Sequence, residues 1–406
     1  MNVEVHIDWD GATHFAGRLY SAGRGNAVSF EYTREWLGMP GSFAIDPTSL
    51  PLQRGAMHSP GLFGVIQDCG PDRWGRLLIQ RAVRKKVLEQ KPWQDLDYVL
   101  ALDDSSRIGA LRFRRGPGEP FLAVTDGKLP PVVQLPALLR AADAIHHESE
   151  TAQDLRFLLG QGSPLGGARP KSAVALPDGN LGIAKFPKPD DTRDIGAGEA
   201  LAMAVARAAG IRTADHQLVP LPGYSAVLIT RFDRRGSRRI PLLSGASLLA
   251  LGPDDPGSYT MLADAIRQSG DDVVGDLREL WRRMVLSLLA SNYDDHLRNH
   301  AFLMLRPGRW SLSPAYDLNP VPEIERGAMN QTPITEESTE LSVAAALQTA
   351  GRFGLDTTAA KSILREVHAA VADWRAIARK LRLKPTTVEA YQSAFEHERT
   401  KEAAAI

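Results

Sequence analysis

The sequence is short of several things, and each shortage excludes something. Cysteine occurs once, at Cys69, so no intrachain disulfide can form and a reducing compartment is expected. No apolar run reaches the roughly 18 residues that a membrane-spanning helix needs. The opening MNVEVHIDWDG has neither the basic stretch nor the apolar core of a secretory signal. An excess of one charge is missing too. Lys plus Arg number 48, and so do Asp plus Glu. That balance argues against nucleic acid or membrane binding over the whole surface, though a local basic patch is compatible with it. There is no internal repeat and no low-complexity block. A soluble cytoplasmic protein without membrane association is the expectation.

What remains is ample material for folding. The 406 residues are 43% apolar and 24% charged, enough for two or three domains with real cores. Val3, Val5 and Ile7 alternate with polar residues, and GRLYS and NAVSFEY continue as short strands broken by glycine, so the first ~60 residues read as a small β unit. The segment DRWGRLLIQRAVRKKVLEQ reads as a helix, with Trp74, Leu77, Ile79 and Val83 near helical spacing. DLDYVLALDD is a short helix or strand, and RIGALRFRR a strand. The Gly- and Pro-rich stretch from Arg115 to about Pro136 is the candidate boundary, followed by a polar helix over Pro136 to His147.

A strand, a glycine-rich turn and a strand then fill QGSPLGGARPKSAVALPDGNLGIAKFP, with Asp178-Gly179-Asn180 as a hairpin turn. EALAMAVARAAG is a helix ending at Gly210, and SAVLITRFDRR a strand running into a basic turn. From Leu242 onward the pattern turns helical. Leu277, Leu280, Trp281, Met284, Val285 and Leu288 share one face. AAKSILREVHAAVADWRAIARKL carries the same kind of stripe as one helix. A β-rich half thus feeds a helical half, and polar loops at such a junction commonly hold an active site.

Four features with chemistry follow in order. Gly160 to Ala168 is a turn so rich in glycine that backbone N–H groups can cradle phosphate oxygens, although an ordinary flexible turn has the same composition. Lys185 sits on the apolar strand just after it and offers a point charge for phosphates. On a half-buried strand it is also an ordinary snorkelling lysine. Glu199, near the start of the next helix, is a candidate partner for it. Asn292 to Asn299 carries an aspartate, Asp294, followed five residues later by an amide, Asn299. That is the spacing of a kinase catalytic loop, in which the acid takes the proton of the attacking hydroxyl and the amide oxygen binds magnesium. Asp317, in Ser313-Pro314-Ala315-Tyr316-Asp317-Leu318, follows a strand at Trp310 to Leu312 and has the place of a second magnesium ligand. Each feature alone is ambiguous. Their order describes one job, which is phosphoryl transfer from ATP.

At these residues the chain resembles the HipA family of bacterial serine/threonine kinases, the toxin half of toxin–antitoxin pairs. The matching stretches are GSPLGGARPK, LGIAKFPKP, LITRFDRRG, SYTMLADAI, NYDDHLRNHAF and LSPAYDLNP. SFEYTREWL, LPL and the segment from Asp68 to Trp74 look like that family's N-terminal subdomain. The resemblance implies an α+β, bilobal, protein-kinase-like fold. Its parts would be a β-rich subdomain over 1–125, an ATP-binding lobe over 126–240 and a helical lobe over 241–406. It implies Asp294 as catalytic base with His296 and Arg298 lining the loop, and Asn299 and Asp317 as magnesium ligands. Lys185 would contact ATP phosphates, with Ser163, Gly166, Gly167 and Ala168 in the glycine loop. The backbone of Thr230 and Phe232 would hold adenine, and Asp233 would lie near the ribose. Some members autophosphorylate a loop serine. Here that position falls near Pro164, with Ser163 adjacent. The implied partners are a HipB-like helix-turn-helix antitoxin, DNA only through that antitoxin, and a protein acceptor such as an aminoacyl-tRNA synthetase.

Other readings are weighed on their own residues. His296 and His300 have the spacing of an HExxH zinc site, but Leu297 stands where the glutamate is needed. The arginines 231, 234, 235, 238 and 239 could meet a phosphate backbone, but Asp233 and the Gly236 turn read as a solvated hairpin. A non-catalytic co-repressor scaffold and a kinase of small-molecule hydroxyls share the same motif set.

Overall fold

The computed structural model describes residues 2–21, 25–123, 129–159, 167, 169–221, 223–252, 255–328 and 332–406. The fold is α+β. Its contacts cluster into two compact units assembled from non-contiguous segments. The first comprises Met1–Asp190, Leu228–Ala250 and Leu303–Gly308, and the second Asp191–Val227, Leu251–Phe302 and Arg309–Ile406. The Gly- and Pro-rich stretch after Arg115 lies inside the first unit, because backbone bonds fold it back. Leu122 N donates to Phe113 O at 2.8 Å, and Ala175 N donates to Pro130 O at 2.9 Å. Among the described residues no helix is long and apolar enough to cross a membrane.

The first unit opens with the antiparallel sheet that the alternation predicts. Strands β1 (Asn2–Trp9), β2 (Ala12–Ser21), β3 (Val28–Tyr32), β4 (Met57–Ser59) and β5 (Leu111–Arg114) lie in the order β4-β3-β2-β1-β5. Asp10 and Gly11 join β1 to β2 with φ of 50° and 78°, the left-handed pair that suits a two-residue hairpin. Val3, Val5, Leu19, Phe30 and Phe113 are wholly buried. The helix Arg73–Arg84 forms as expected but buries Trp74, Leu78, Ile79 and Ala82, a face turned away from Leu77 and Val83. Trp74 sets that rotation by donating its indole N–H to Lys171 O at 3.1 Å. The hairpin of β6 (Lys171–Ala175) and β7 (Leu181–Lys185) pairs Lys171 with Lys185 in register, and Gly179 supplies the positive φ of its turn.

The basic turn after residue 230 is the expected hairpin, Arg234–Arg235 paired with Arg238–Arg239 around Gly236, but its base is not solvated. Arg231 and Arg234 are 4% and 7% exposed, and both close on Asp233, itself 2% exposed. Arg231 Nε donates to Asp233 Oδ1 at 2.9 Å, while Arg234 and Gly109 N reach Oδ2 at 2.7 and 2.8 Å. Arg231 also donates to Ser106 O at 2.6 Å and Arg234 to Gly109 O at 2.9 Å. Arginine is normally exposed, but here the fold supplies a carboxylate and a row of carbonyls distant in sequence. Only Arg235 and Arg238 of the five remain exposed.

The second unit is mostly helical. Asp194 caps the helix Ile195–Ala208 through Ala197 N at 3.0 Å, and Gly210 follows its end with φ of 78°. The helix Val273–Leu289 buries the expected stripe from Leu277 to Leu288. The C-terminal stripe divides into two helices, Thr357–Ala372 and Trp374–Lys380. The break at Asp373 lets Trp374 stack on Phe395, with ring centroids 5.0 Å apart.

Burial by itself would raise the pKa of Asp233, but the guanidiniums of Arg231 and Arg234 override it and hold the carboxyl well below its usual range. Its stabilising effect is therefore present above the unfolded value near 3.9 and is lost as pH falls towards the folded one. Asp233→Ala leaves two buried cations uncompensated and is expected to cost about 3–5 kcal/mol in denaturant unfolding. A loss below about 1 kcal/mol would show that the cluster is dispensable.

Candidate active site

The helix Val273–Leu289 delivers the chain to the predicted loop. Ala290 N still bonds Leu286 O, at 2.7 Å, and then Ser291 takes φ of 51° and reverses the chain. Asn292 N returns to Ser287 O at 3.0 Å. The two aspartates that follow part company. Asp294 is exposed, whereas Asp295 is 3% exposed and faces inward. Asp295 accepts from the Tyr259 hydroxyl and from Ser287 Oγ at 3.1 Å, and meets His300 Nε2 at 3.0 Å. Its own carbonyl accepts from Thr332 N and Oγ1 at 2.8 and 2.7 Å. Burial would raise the Asp295 pKa, but the histidine and the hydroxyl donors hold it below the usual carboxylate value.

Asn299 closes the loop in the short turn Leu297–Asn299. Its Nδ2 donates to Asp294 O at 3.0 Å. Its Oδ1 is buried and has no protein partner among the described residues. The segment bearing Asp317 is stitched to this loop. Tyr316 Oη donates to Arg298 O at 2.8 Å, and Asn319 N donates to Asn292 Oδ1 at 2.9 Å. Asn319 Nδ2 steadies Asp317 Oδ1 at 2.9 Å, and Asp317 itself has φ of 55°, an uncommon backbone outside glycine. Behind it, Arg283 bonds Glu279 Oε1 at 2.7 Å and Ser313 O at 2.6 Å, while Ala315 N bonds Arg212 O at 2.7 Å. Asp294, Asn299 and Asp317 thus come from two segments fastened together within one unit.

The donor set suits a hard cation. A neutral amide oxygen and a carboxylate are the kind of ligands that magnesium takes alongside water and phosphate oxygens. Among the described residues there is no group of three His, Cys, Asp or Glu that could hold a metal, and magnesium shared with phosphates does not need one. His300 Nε2 is bonded to Asp295 at 3.0 Å, and among the described residues no third His, Cys, Asp or Glu joins the His296–His300 pair to complete a zinc site. His296 and Arg298 are half-buried within the loop.

The nucleotide residues implied by the resemblance belong to the first unit. Lys185 is half-buried at the end of β7. Gly167 has φ of 93°, a conformation that favours glycine. Ser163, Gly166 and Ala168 lie outside the described residues. Thr230 ends the strand Ser225–Thr230, and Phe232 is half-buried beyond it. Asp233 is occupied by the ion cluster, a framework task that the sequence reading did not assign. Glu199 is 3% exposed in the helix Ile195–Ala208. In the sequence His300 stands out only through its zinc-like spacing from His296, and Asp295 and Tyr259 carry no assigned role. The paired aspartates were the one visible signal for them, since two adjacent acids rarely serve the same side of a chain. Lys171 is likewise buried, against Asp72 at 2.7 Å.

Asp295→Asn keeps the shape but replaces an acceptor by a donor among three donors. It is expected to cost about 3 kcal/mol, read as a Tm lower by roughly 6–12 °C for a unit of this size. An unchanged Tm would mean that the loop does not depend on this carboxylate.

A model described as the HipA N-terminal domain matches residues 9–114, and one described as the HipA-like C-terminal domain matches residues 163–374. A kinase candidate of Haemophilus influenzae is 28% identical over 202 residues, covering 43% of this chain and 58% of that protein. The kinase candidate Y4dM of Sinorhizobium fredii is 32% identical over 139 residues, covering 30% of this chain and 34% of that protein. The matched part of the chain thus spans about a third to three fifths of the length of these curated relatives. Among solved structures, the Shewanella oneidensis HipA, in complex with HipB and operator DNA, superposes with a TM-score of 0.69 at 17% identity, covering 99% of this chain and 96% of that one. That likeness concerns the fold. Because the C-terminal model alone spans more than half of the 406 residues, the chain belongs to the HipA family.

Proposed function

We propose that this chain is an ATP- and magnesium-dependent serine/threonine kinase of the HipA toxin type, which transfers the γ-phosphate of ATP to a protein hydroxyl. The observation that carries the reading is the orientation of Asn299. Its amide nitrogen is tied to Asp294 O at 3.0 Å, which leaves a buried oxygen with no partner among the described residues in the loop of the exposed acid. A buried amide oxygen without a partner is costly and calls for a ligand.

In this reading Asp294 accepts the proton of the acceptor hydroxyl as its oxygen bonds to the γ-phosphorus and ADP departs. Asn299 and Asp317 hold the magnesium, which when bound neutralises charge on the phosphates. Lys185 pairs with phosphate oxygens, and the glycine turn that includes Gly167 covers them. Thr230 and Phe232 contact adenine through their backbone, while Asp233, buried in its ion cluster, is left to hold the framework and not the ribose. The likeness to a HipA solved together with HipB and operator DNA supports a HipB-like antitoxin as partner, with DNA reached through it. An aminoacyl-tRNA synthetase is a candidate acceptor.

The test is incubation of the purified chain with labelled ATP, magnesium and host lysate. Asp294→Asn should lower transfer by about 10²–10⁴-fold, the range for loss of a general base, while Tm stays nearly unchanged because the side chain is exposed. Equal loss of folding would make Asp294 structural, and label transfer by the variant would remove the assignment. Asp317→Ala should weaken magnesium-dependent ATP binding by about 10–100-fold in a titration. An unchanged titration would remove Asp317 from the metal site.

A further inference from the structure

The residues after 374 lie beyond the stretch that the C-terminal family model matches. Within the second unit they close on the loop that carries Asp294. His397 precedes the last helix, Glu398–Ala404. Its Nε2 lies 3.1 Å from Leu289 O and 3.1 Å from Ser291 Oγ. A carbonyl can only accept, so Nε2 carries the proton and the ring is the donor. Burial, with Arg399 and Arg326 nearby, pushes the His397 pKa down to about 4, which keeps the ring neutral. Leu289 ends its helix, where the last carbonyls lack intrahelical partners. Ser291 holds the left-handed turn, an unfavourable backbone for a residue with a Cβ.

A second contact lies two residues on. Arg399 donates to Tyr293 Oη at 2.6 Å, and its guanidinium and that of Arg326 each sit 5.3 Å from the Tyr293 ring centre. Arg326 Nε bonds Val321 O at 3.1 Å, and Val321 N bonds Ser291 O at 2.9 Å, so the tail, the loop and the Asp317 segment form one ring of contacts. The tail is itself anchored. Tyr391 Oη donates to Asp194 O at 3.0 Å, in a space that exists because residue 198 is glycine: a Cβ there would stand 2.1 Å from that oxygen.

We propose that residues 391–399 form a clasp that sets the position of the loop bearing Asp294, with His397 and Arg399 as positioning residues holding Ser291 and Tyr293. The catalytic half of this inference rests on the reading of Asp294 as the base, and the structural half does not. His397 replaces the partner that the helix end lacks and fixes the turn from which the loop departs. A displacement of about 1 Å at a reacting group can cost on the order of 100-fold in rate, so such a clasp acts on turnover and not on ATP affinity.

The experiment uses the full chain and four variants. His397→Ala removes the donor, and His397→Gln restores one at a similar reach. Arg399→Leu keeps bulk over Tyr293 without the bond and gives a second comparison should His397→Ala fold poorly. Glu398→Ala, on the exposed side of the same helix, is the control. Amide hydrogen exchange should rise at least about tenfold over residues 289–295 in His397→Ala and Arg399→Leu, return towards wild type in His397→Gln, and stay unchanged in Glu398→Ala. No rise, or an equal rise across the whole unit, would overturn the clasp. In kinetics, kcat should fall at least about tenfold in His397→Ala with KM for ATP within about twofold. A change confined to KM would overturn the positioning role. Should the wild type transfer no phosphate, the kinase reading fails, and hydrogen exchange alone decides the clasp.

Discussion

The second unit turns on one buried charge. Asp295 is removed from water, and a carboxylate there is tolerable only if its oxygens are bonded. Tyr259, Ser287 and His300 meet that need with side-chain donors, and Thr332 bonds the residue's own carbonyl. These partners come from two helices, the loop itself and the segment after residue 331, so the requirement draws four parts of the chain to one point. The loop is then held from within at the residue next to its exposed acid. Asp294 has little freedom to wander while its neighbour is fixed, and that is what a group meant to meet a reacting atom requires.

The first unit uses a related device for a different end. Asp233 is buried between Arg231 and Arg234, and the surplus donors of the arginines run to backbone carbonyls of residues 106 to 109. Here the buried charge gathers backbone and leaves nothing exposed beside it. Such clusters are weak evidence for stability, since a well-packed apolar replacement often does as well. They are stronger evidence for register, because a guanidinium with fixed donor directions accepts few alternative arrangements. The two aspartates differ in what stands beside them. Asp295 has an exposed acid as neighbour, and Asp233 has two buried bases.

Local pattern carried much of this architecture into the sequence. The alternation of Val3, Val5 and Ile7 reads as β1, the turn residues around Gly179 read as a hairpin, and the stripe from Leu277 to Leu288 reads as a buried helix, because each depends on near neighbours. Distant partners are what the sequence hides. Arg231 and Arg234 read as solvent residues since the carbonyls that bury them lie about 125 positions away. Asp295 reads as one more polar loop residue since Tyr259 and Thr332 lie 36 and 37 positions away. The helix break at Asp373 is hidden for another reason: the apolar stripe continues through it, and only the burial of Trp374 against Phe395 requires the turn.

The spacing of the loop was legible, yet the reason for an amide at residue 299 appears only in three dimensions. An aspartate there would offer acceptors alone, and could not donate to the carbonyl of Asp294 as Nδ2 does at 3.0 Å. It would also set a second negative charge in the loop that already carries Asp294, raising the cost of the site whenever no cation is present. Asparagine divides the work between its two ends. One end is a donor that ties the residue to the backbone of the proposed base. The other is a neutral oxygen, without a protein partner among the described residues, that can bind a cation without adding charge. The side chain thereby ties the proposed metal ligand to the backbone of the proposed base.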